Sequence, residues 1–218
     1  MTQEIWFGDC LELIKTITDK SVDLIITDPP YKMTKNGKSC RPNYMPVNST
    51  ENLFEGNLPS TKEWMTECFR VLKDGSHFYT FCSINDISNY LNCATQAGFK
   101  LHNILTMIKD TKMPNRWYLK FSEMVLFFRK GNAKPINDMT SRDYEFVTMP
   151  TLKSGKLHPT QKPLPFIEKL VKNSTKENEI VLDIFAGSGT TLLAAKNLNR
   201  QFIGIEKEEK YVEIIKQD

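Results

Sequence analysis

No apolar run in this chain approaches the roughly 18 residues a membrane-spanning helix needs, so a helical membrane protein is not expected. The five cysteines (10, 40, 68, 82 and 93) form no CxxC pair and are odd in number. That argues against a disulfide framework or a cysteine-built zinc site, and for a reducing compartment. The first residues, Met1-Thr2-Gln3-Glu4, lack the basic and apolar regions of a secretory leader, so a cytoplasmic location is expected. There is no internal repeat and no low-complexity segment. Nothing marks a second domain either, and 218 residues are read as one. Acid and base nearly cancel, at a net charge of +3, so bulk charge excludes little.

Charge distribution is more informative. Between Tyr31 and Thr50 there are four basic residues (Lys32, Lys35, Lys38, Arg41) and no acid. Between Lys109 and Lys120 there are four against Asp110, including Lys112 and Arg116. From Phe146 to Ile167 come Lys153, Lys156 and Lys162, again without an acid. Basic loops on a nearly neutral body suit a phosphate-backbone partner, although solvated loops often carry lysine anyway. Residues 32–60 and 130–162 show no periodicity, and loops that long are usually functional or mobile.

The remaining segments alternate strand and helix. Strands are expected at Glu4–Phe7, Val22–Thr27, His77–Cys82, Lys100–Ile108, Met124–Phe128, Ile180–Asp183 and Phe202–Glu206. Helices are expected at Cys10–Ile17, Thr61–Leu72, Asn85–Ala97, Pro163–Asn173, Ser188–Leu198 and Lys207–Lys216. This alternation predicts an α/β fold, a single doubly wound and mainly parallel sheet.

Asp28-Pro29-Pro30-Tyr31 follows the apolar run Val22–Thr27 directly. Two prolines cannot continue a central strand, because they donate no ladder hydrogen bond. The strand therefore stops with an acid and an aromatic at its carboxyl end, where open α/β sheets bind ligands. A carboxylate, a carbonyl outside the ladder and an aromatic face suit a planar base with an exocyclic amine.

A second constellation runs from Val181 through Asp183, Phe185, Ala186, Gly187, Ser188, Gly189, Thr190 and Thr191. It reads as a strand, a glycine turn and a helix start, whose free N–H groups face a ligand. Glu206 ends the next strand, 23 residues after Asp183, where an acid accepts from both ribose hydroxyls. No GK[ST] follows, which excludes a nucleoside-triphosphate loop. The third glycine of GxGxxG is replaced by Leu192, which favours S-adenosylmethionine over a dinucleotide. A nucleoside-binding half needs a third strand, and after Glu206 only one helix remains. Ile5–Asp9 fits that strand, so the fold is expected to be circularly permuted, with the strand carrying Asp28 next in the sheet or near it.

With DPPY, FAGSGTT and the intervening His158-Pro159-Thr160-Gln161-Lys162-Pro163 in view, the chain resembles the β-class DNA amino-methyltransferases over nearly its whole length. The resemblance implies a Rossmann-like, S-adenosylmethionine-dependent fold, methylation of an amine on a flipped base in double-stranded DNA, and no metal. It implies cofactor contacts at Asp9, Cys10, Asp28, Thr160, Gln161, Lys162, Asp183, Phe185, Ala186, Gly187, Ser188, Gly189, Thr190, Thr191, Glu206 and Lys207. Asp28, Pro29, Pro30 and Tyr31 would be catalytic. Ile184 stands where the family usually has proline. DPPY favours adenine N6, with cytosine N4 as the alternative and a non-catalytic DNA-binding module as a more distant one.

Contacts to DNA are expected from Lys32, Lys35, Lys38, Arg41, Lys112, Asn115, Arg116, Lys153 and Lys156. Residues 32–60 would be a mobile DNA-facing loop and residues 131–156 a short target-recognition segment. So small an element implies a short target site or help from a second subunit. A homodimer and a restriction endonuclease partner are both compatible with it.

Overall fold

The computed structural model describes residues 3–30, 58–113, 118, 120–142 and 162–217. Seven strands form one sheet in the order β1-β7-β6-β2-β3-β5-β4. They are β1 (Gln3–Phe7), β2 (Val22–Thr27), β3 (Leu72–Cys82), β4 (Lys100–Met113), β5 (Lys120–Arg129), β6 (Ile180–Asp183) and β7 (Gln201–Glu206). The run β1-β7-β6-β2-β3 is parallel throughout. β5 is antiparallel to both of its neighbours, β3 and β4.

The helices are α1 (Cys10–Leu13, followed by a 3₁₀ turn at Ile14–Thr16), α2 (Thr61–Val71), α3 (Ile87–Ala97), α4 (Leu164–Ser174), α5 (Thr190–Asn197) and α6 (Glu209–Gln217). They cover both faces because side chains alternate along each buried strand. Ile25, Phe78 and Leu182 enter a core with Ile14, Trp64, Met65, Cys68 and Tyr90. Their neighbours Leu24, Ile26, Tyr79 and Val181 enter a second core with Phe166, Leu170, Leu192 and Ala195. The doubly wound arrangement is thus the one the alternation predicts.

All six residues of β2 are buried, including one acid. Asp23 pairs with Lys73 at 2.7 Å and accepts from the Ile180 N–H at 3.0 Å, so it ties β2 to β3 and β6. α2 is capped by Ser60, whose hydroxyl accepts from the Glu63 N–H, with an acid in the first turn.

Several boundaries depart from expectation. β3 starts at Leu72 rather than His77, because Leu72 pairs with Val22 ahead of a register shift. β4 and β5 extend to Met113 and from Lys120, since each supplies the other's ladder partners. α5 starts at Thr190, because Gly187 and Gly189 adopt positive φ (52° and 80°) and cannot belong to the helix.

The first strand and the last are adjacent. β1 runs parallel to β7 with Gln3 opposite Phe202 and Phe7 opposite Glu206. The permuted order therefore holds. β2 lies beyond β7 and β6, beside β6, with Ile25 opposite Leu182. Parallel pairing brings the carboxyl ends of β1, β7, β6 and β2 to one edge, where Asp9, Glu206, Asp183 and Asp28 stand.

Candidate active site

Thr27, the last residue of β2, donates its hydroxyl to Asp183 Oδ1 at 2.9 Å. The Phe185 N–H donates to the same oxygen at 3.1 Å. Burial raises the Asp183 carboxyl to about 7, against the hydrogen bonds from Phe185, Thr191 and Thr27. Asp183 is therefore a buried pin between the two constellations. It holds the strand end that carries Asp28 against the glycine turn.

Around the turn, the Gly187 N–H donates to Glu206 Oε2 at 2.7 Å and the Glu208 N–H to Oε1 at 2.8 Å. Burial pushes the Glu206 carboxyl up, and these backbone donors oppose it. Each oxygen accepts one of these bonds, and the Lys207 backbone N–H acts on the same carboxylate. Just after β1, the Gly8 N–H donates to the Glu206 carbonyl at 2.9 Å, which sets the following turn against the end of β7. Asp9 caps α1 through the Leu11 N–H at 2.9 Å, and its other oxygen is 3.4 Å from Lys207 Nζ. Cys10 is buried, and burial drives its thiol up to about 12, which disfavours the thiolate. The Phe185 ring is braced edge-on by Trp64, with centroids 5.8 Å apart.

Asp28 belongs to a separate charged cluster. Its Oδ2 is 2.7 Å from Lys162 Nζ. Its Oδ1 is buried and has no hydrogen-bond partner among the described residues. Lys162 also meets Glu123 Oε2 at 3.1 Å, and Glu123 in turn is paired with Lys109. The Lys162 ammonium sits 4.6 Å above the Phe81 ring centroid. Burial pushes the Asp28 carboxyl above its ordinary range, with Lys162 as the main opposing influence. Burial acts on Glu123 too, but Lys162 and Lys109 outweigh it and hold that carboxyl low.

The chain that carries this site is similar to known proteins over most of its length. The family model described as DNA methylase, for N6 and N4 enzymes, matches residues 22–217. The Type II methyltransferase M2.LlaDCHI of Lactococcus lactis subsp. cremoris is 32% identical, over 96% of this chain and 86% of its own. The crystal structure of an M1.HpyAVI–SAM complex is 32% identical with a TM-score of 0.72, covering 100% of this chain and 99% of that one. PvuII DNA methyltransferase, cytosine-N4-specific, shares the fold at 19% identity, with a TM-score of 0.73 and coverage of 99% and 86%.

The chain belongs to the N6/N4 DNA methylase family.

Enzymes of this family draw their methyl group from S-adenosylmethionine. The methylase fold seen here fits that group. Glu206 offers two fixed acceptor oxygens, Gly187 turns at positive φ with its N–H on Glu206, and Phe185 is held from behind by Trp64. Of the residues expected at the cofactor, Asp9, Cys10, Asp183, Phe185, Gly187, Glu206 and Lys207 lie around this edge. Thr190 and Thr191 open α5. Ser188 and Gly189 lie in the same turn, and Gly189 also answers to packing, since a Cβ there would be 2.8 Å from Ile215 Cγ1. Lys162, also expected at the cofactor, has its ammonium on Asp28.

Tyr31, Lys32, Lys35, Lys38, Arg41, Asn115, Arg116, Lys153, Lys156, Thr160 and Gln161 fall outside the described residues, and Lys112 is described in its backbone alone. Residues 131–142, the first part of the expected recognition segment, are fastened to the methylase body. The Lys134 N–H donates to the Gly75 carbonyl and the Asn137 N–H to the Asn173 carbonyl. These partners lie toward the start of β3 and the end of α4, away from Asp28.

Sequence reasoning missed Glu123, Lys109 and Phe81. Glu123 immediately precedes the apolar run Met124–Phe128, and an acid at the mouth of a buried strand was the available signal.

Proposed function

We propose that this protein methylates the N6 amine of adenine, in a base turned out of double-stranded DNA, with S-adenosylmethionine as donor. One observation carries the reading: Asp28 Oδ1 is a buried acceptor with no described partner, at the carboxyl end of a central strand. A buried acceptor left unpaired is costly, so such an oxygen belongs to a ligand donor. An exocyclic amine supplies one.

The amine's lone pair is delocalised into the ring, which makes it a weak nucleophile. Accepting one of its N–H bonds at Asp28 Oδ1, and the other at the Pro29 carbonyl, favours a more tetrahedral nitrogen. Tyr31 stacks on the base and offsets about 1–3 kcal/mol of the few kcal/mol spent on flipping it. Glu206 holds the ribose hydroxyls, Asp9 and Cys10 meet the adenine of the cofactor, and Lys207 lies beside it. Phe185 and the turn Ala186-Gly187-Ser188-Gly189-Thr190-Thr191 hold its methionyl end, with Thr160 and Gln161 closing over it. When bound, the cofactor supplies an electrophilic sulfonium methyl. The protein's part is alignment of the two pockets through the Thr27–Asp183 bond.

Lys32, Lys35, Lys38, Arg41, Lys112, Asn115, Arg116, Lys153 and Lys156 serve the DNA backbone and its recognition. Residues 143–156, the rest of the expected recognition segment, would read the target.

A cytosine N4 amine would satisfy Asp28 Oδ1 as well, and the fold is common to both activities. DPPY, rather than a serine in the first position, favours adenine. Expression in a methylation-free host, followed by nucleoside analysis of its DNA, tests the assignment. N6-methyladenine is expected. N4-methylcytosine would replace it with the second reading, and unmodified DNA would overturn both.

A further inference from the structure

Lys109, Glu123, Lys162 and Asp28 form a chain of alternating charge that starts on β4, crosses β5 and ends at the DPPY acid. Lys162 is the centre of it, and only 8% of its side chain is exposed. A buried ammonium is held by pairing, and here it has two carboxylates and the face of Phe81. Glu123 is shared between the two lysines, so its own charge is also balanced. Such a chain is costly to assemble and does little for stability compared with apolar packing. Its geometry has a different effect. It fastens one oxygen of Asp28 and leaves the other without a described partner.

We propose that Lys162 and Glu123 are positioning residues for methyl transfer. Lys162 fastens Oδ2 of Asp28 and keeps that carboxylate charged, so that Oδ1 is presented to the amine, while Glu123, held by Lys109, aims Lys162. This rests on the function proposed above. It assigns the lysine of HPTQKP to the acceptor half of the site, and gives work to an acid that belongs to none of the three sequence motifs.

The charge matters because a protonated Asp28 would offer a donor where the amine needs an acceptor. Three charged groups act on Asp28 from its surroundings: Lys162, Glu123 and Lys109. Asp183 adds a fourth influence across Thr27. Of these, Lys162 makes the direct contact and is the stronger of the two cationic influences. Removing it would leave Asp28 and Glu123 buried beside each other without the cation between them. An adjacent opposite charge is worth about 1–3 pKa units to a carboxyl.

Single-turnover methyl transfer, measured across pH for wild type, Lys162→Gln, Lys162→Arg and Glu123→Gln, tests the proposal. S-adenosylmethionine affinity is measured by calorimetry alongside. For Lys162→Gln, the acid limb of the rate profile should move to higher pH by about 1–3 units, with cofactor affinity within threefold of wild type. Lys162→Arg should bring the limb back. Glu123→Gln keeps the shape of the side chain but loosens Lys162. Its rate should fall roughly 10–100-fold, with no upward move of the limb. An unmoved acid limb in Lys162→Gln, or a loss confined to cofactor affinity, overturns the proposal. Should Lys162→Gln fail to fold, Glu123→Gln at wild-type rate overturns it equally. Wild type that transfers no methyl group to DNA would sink the functional reading itself, a separate and recognisable result.

Discussion

Thr27 and Asp183 are 156 residues apart in the chain, yet the threonine hydroxyl donates to the aspartate Oδ1 at 2.9 Å. One residue links the end of the acceptor strand, the other the start of the donor turn. Thr27→Val keeps the shape and removes the donor. The buried Asp183 oxygen then loses a partner, at a cost of about 1–3 kcal/mol. Urea denaturation should show that loss, and a change under about 0.3 kcal/mol would contradict the role given to this pair.

Asp28→Ala should separate the two pockets functionally. Methyl transfer is expected to fall by at least about 10²–10³-fold, the scale for removing a positioned electrostatic group. Cofactor affinity should stay close to wild type, because Glu206 and the glycine turn are untouched. Calorimetry and a radiolabel transfer assay measure the two halves. Comparable loss in both would mean that Asp28 serves the donor pocket.

Asp183 makes stability depend on pH in a definite direction. Its folded carboxyl sits at about 7, above the ordinary value of 3.8. The folded state therefore holds this proton more tightly than the unfolded one. The resulting contribution to stability is full below about 3.8 and is lost as pH rises to about 7. The stability of wild type minus that of Asp183→Asn should decline over this window. A difference that is flat, or that rises with pH, would show the carboxyl to be charged throughout.

Gly189→Ala tests the turn. The residue sits at φ 80° and a Cβ would approach Ile215 Cγ1 to 2.8 Å, so strain and clash act together. A loss of about 1–3 kcal/mol is expected, read as a lowered Tm. Ile215→Ala in the same chain removes the clash and should recover part of it, leaving the backbone strain. No recovery would place the whole cost in the backbone.

Much of the fold was legible in local pattern. β2, β6 and β7 show as short apolar runs closed by an acid, and α2 by its apolar face. The pairing of β1 with β7 followed from a count: a nucleoside-binding half ending at Glu206 needed one more strand, and Ile5–Asp9 was the segment that fitted. What did not show depends on contacts between distant strands. Lys73-Asp74-Gly75 hides the start of β3, because Lys73 is there to pair with Asp23. Glu123 looks like a strand boundary and is instead the middle of a charge chain, since its partners come from β4 and from the segment before α4. Periodicity reports which face a residue takes, and says nothing of what meets it there.

The position of β2 between β3 and β6 has a consequence for synthesis. β3 follows β2 by 50 residues, from Val22 to Leu72, whereas β6 arrives only at Ile180. A chain emerging from the ribosome can pair one side of β2 long before the other. Until β6 is made, the second edge of a strand that ends up fully buried stays open to any passing strand. The acceptor acid is thus in place early, on a strand whose second edge waits for a late partner. A pause in translation before residue 180 should be more damaging to yield than one after it.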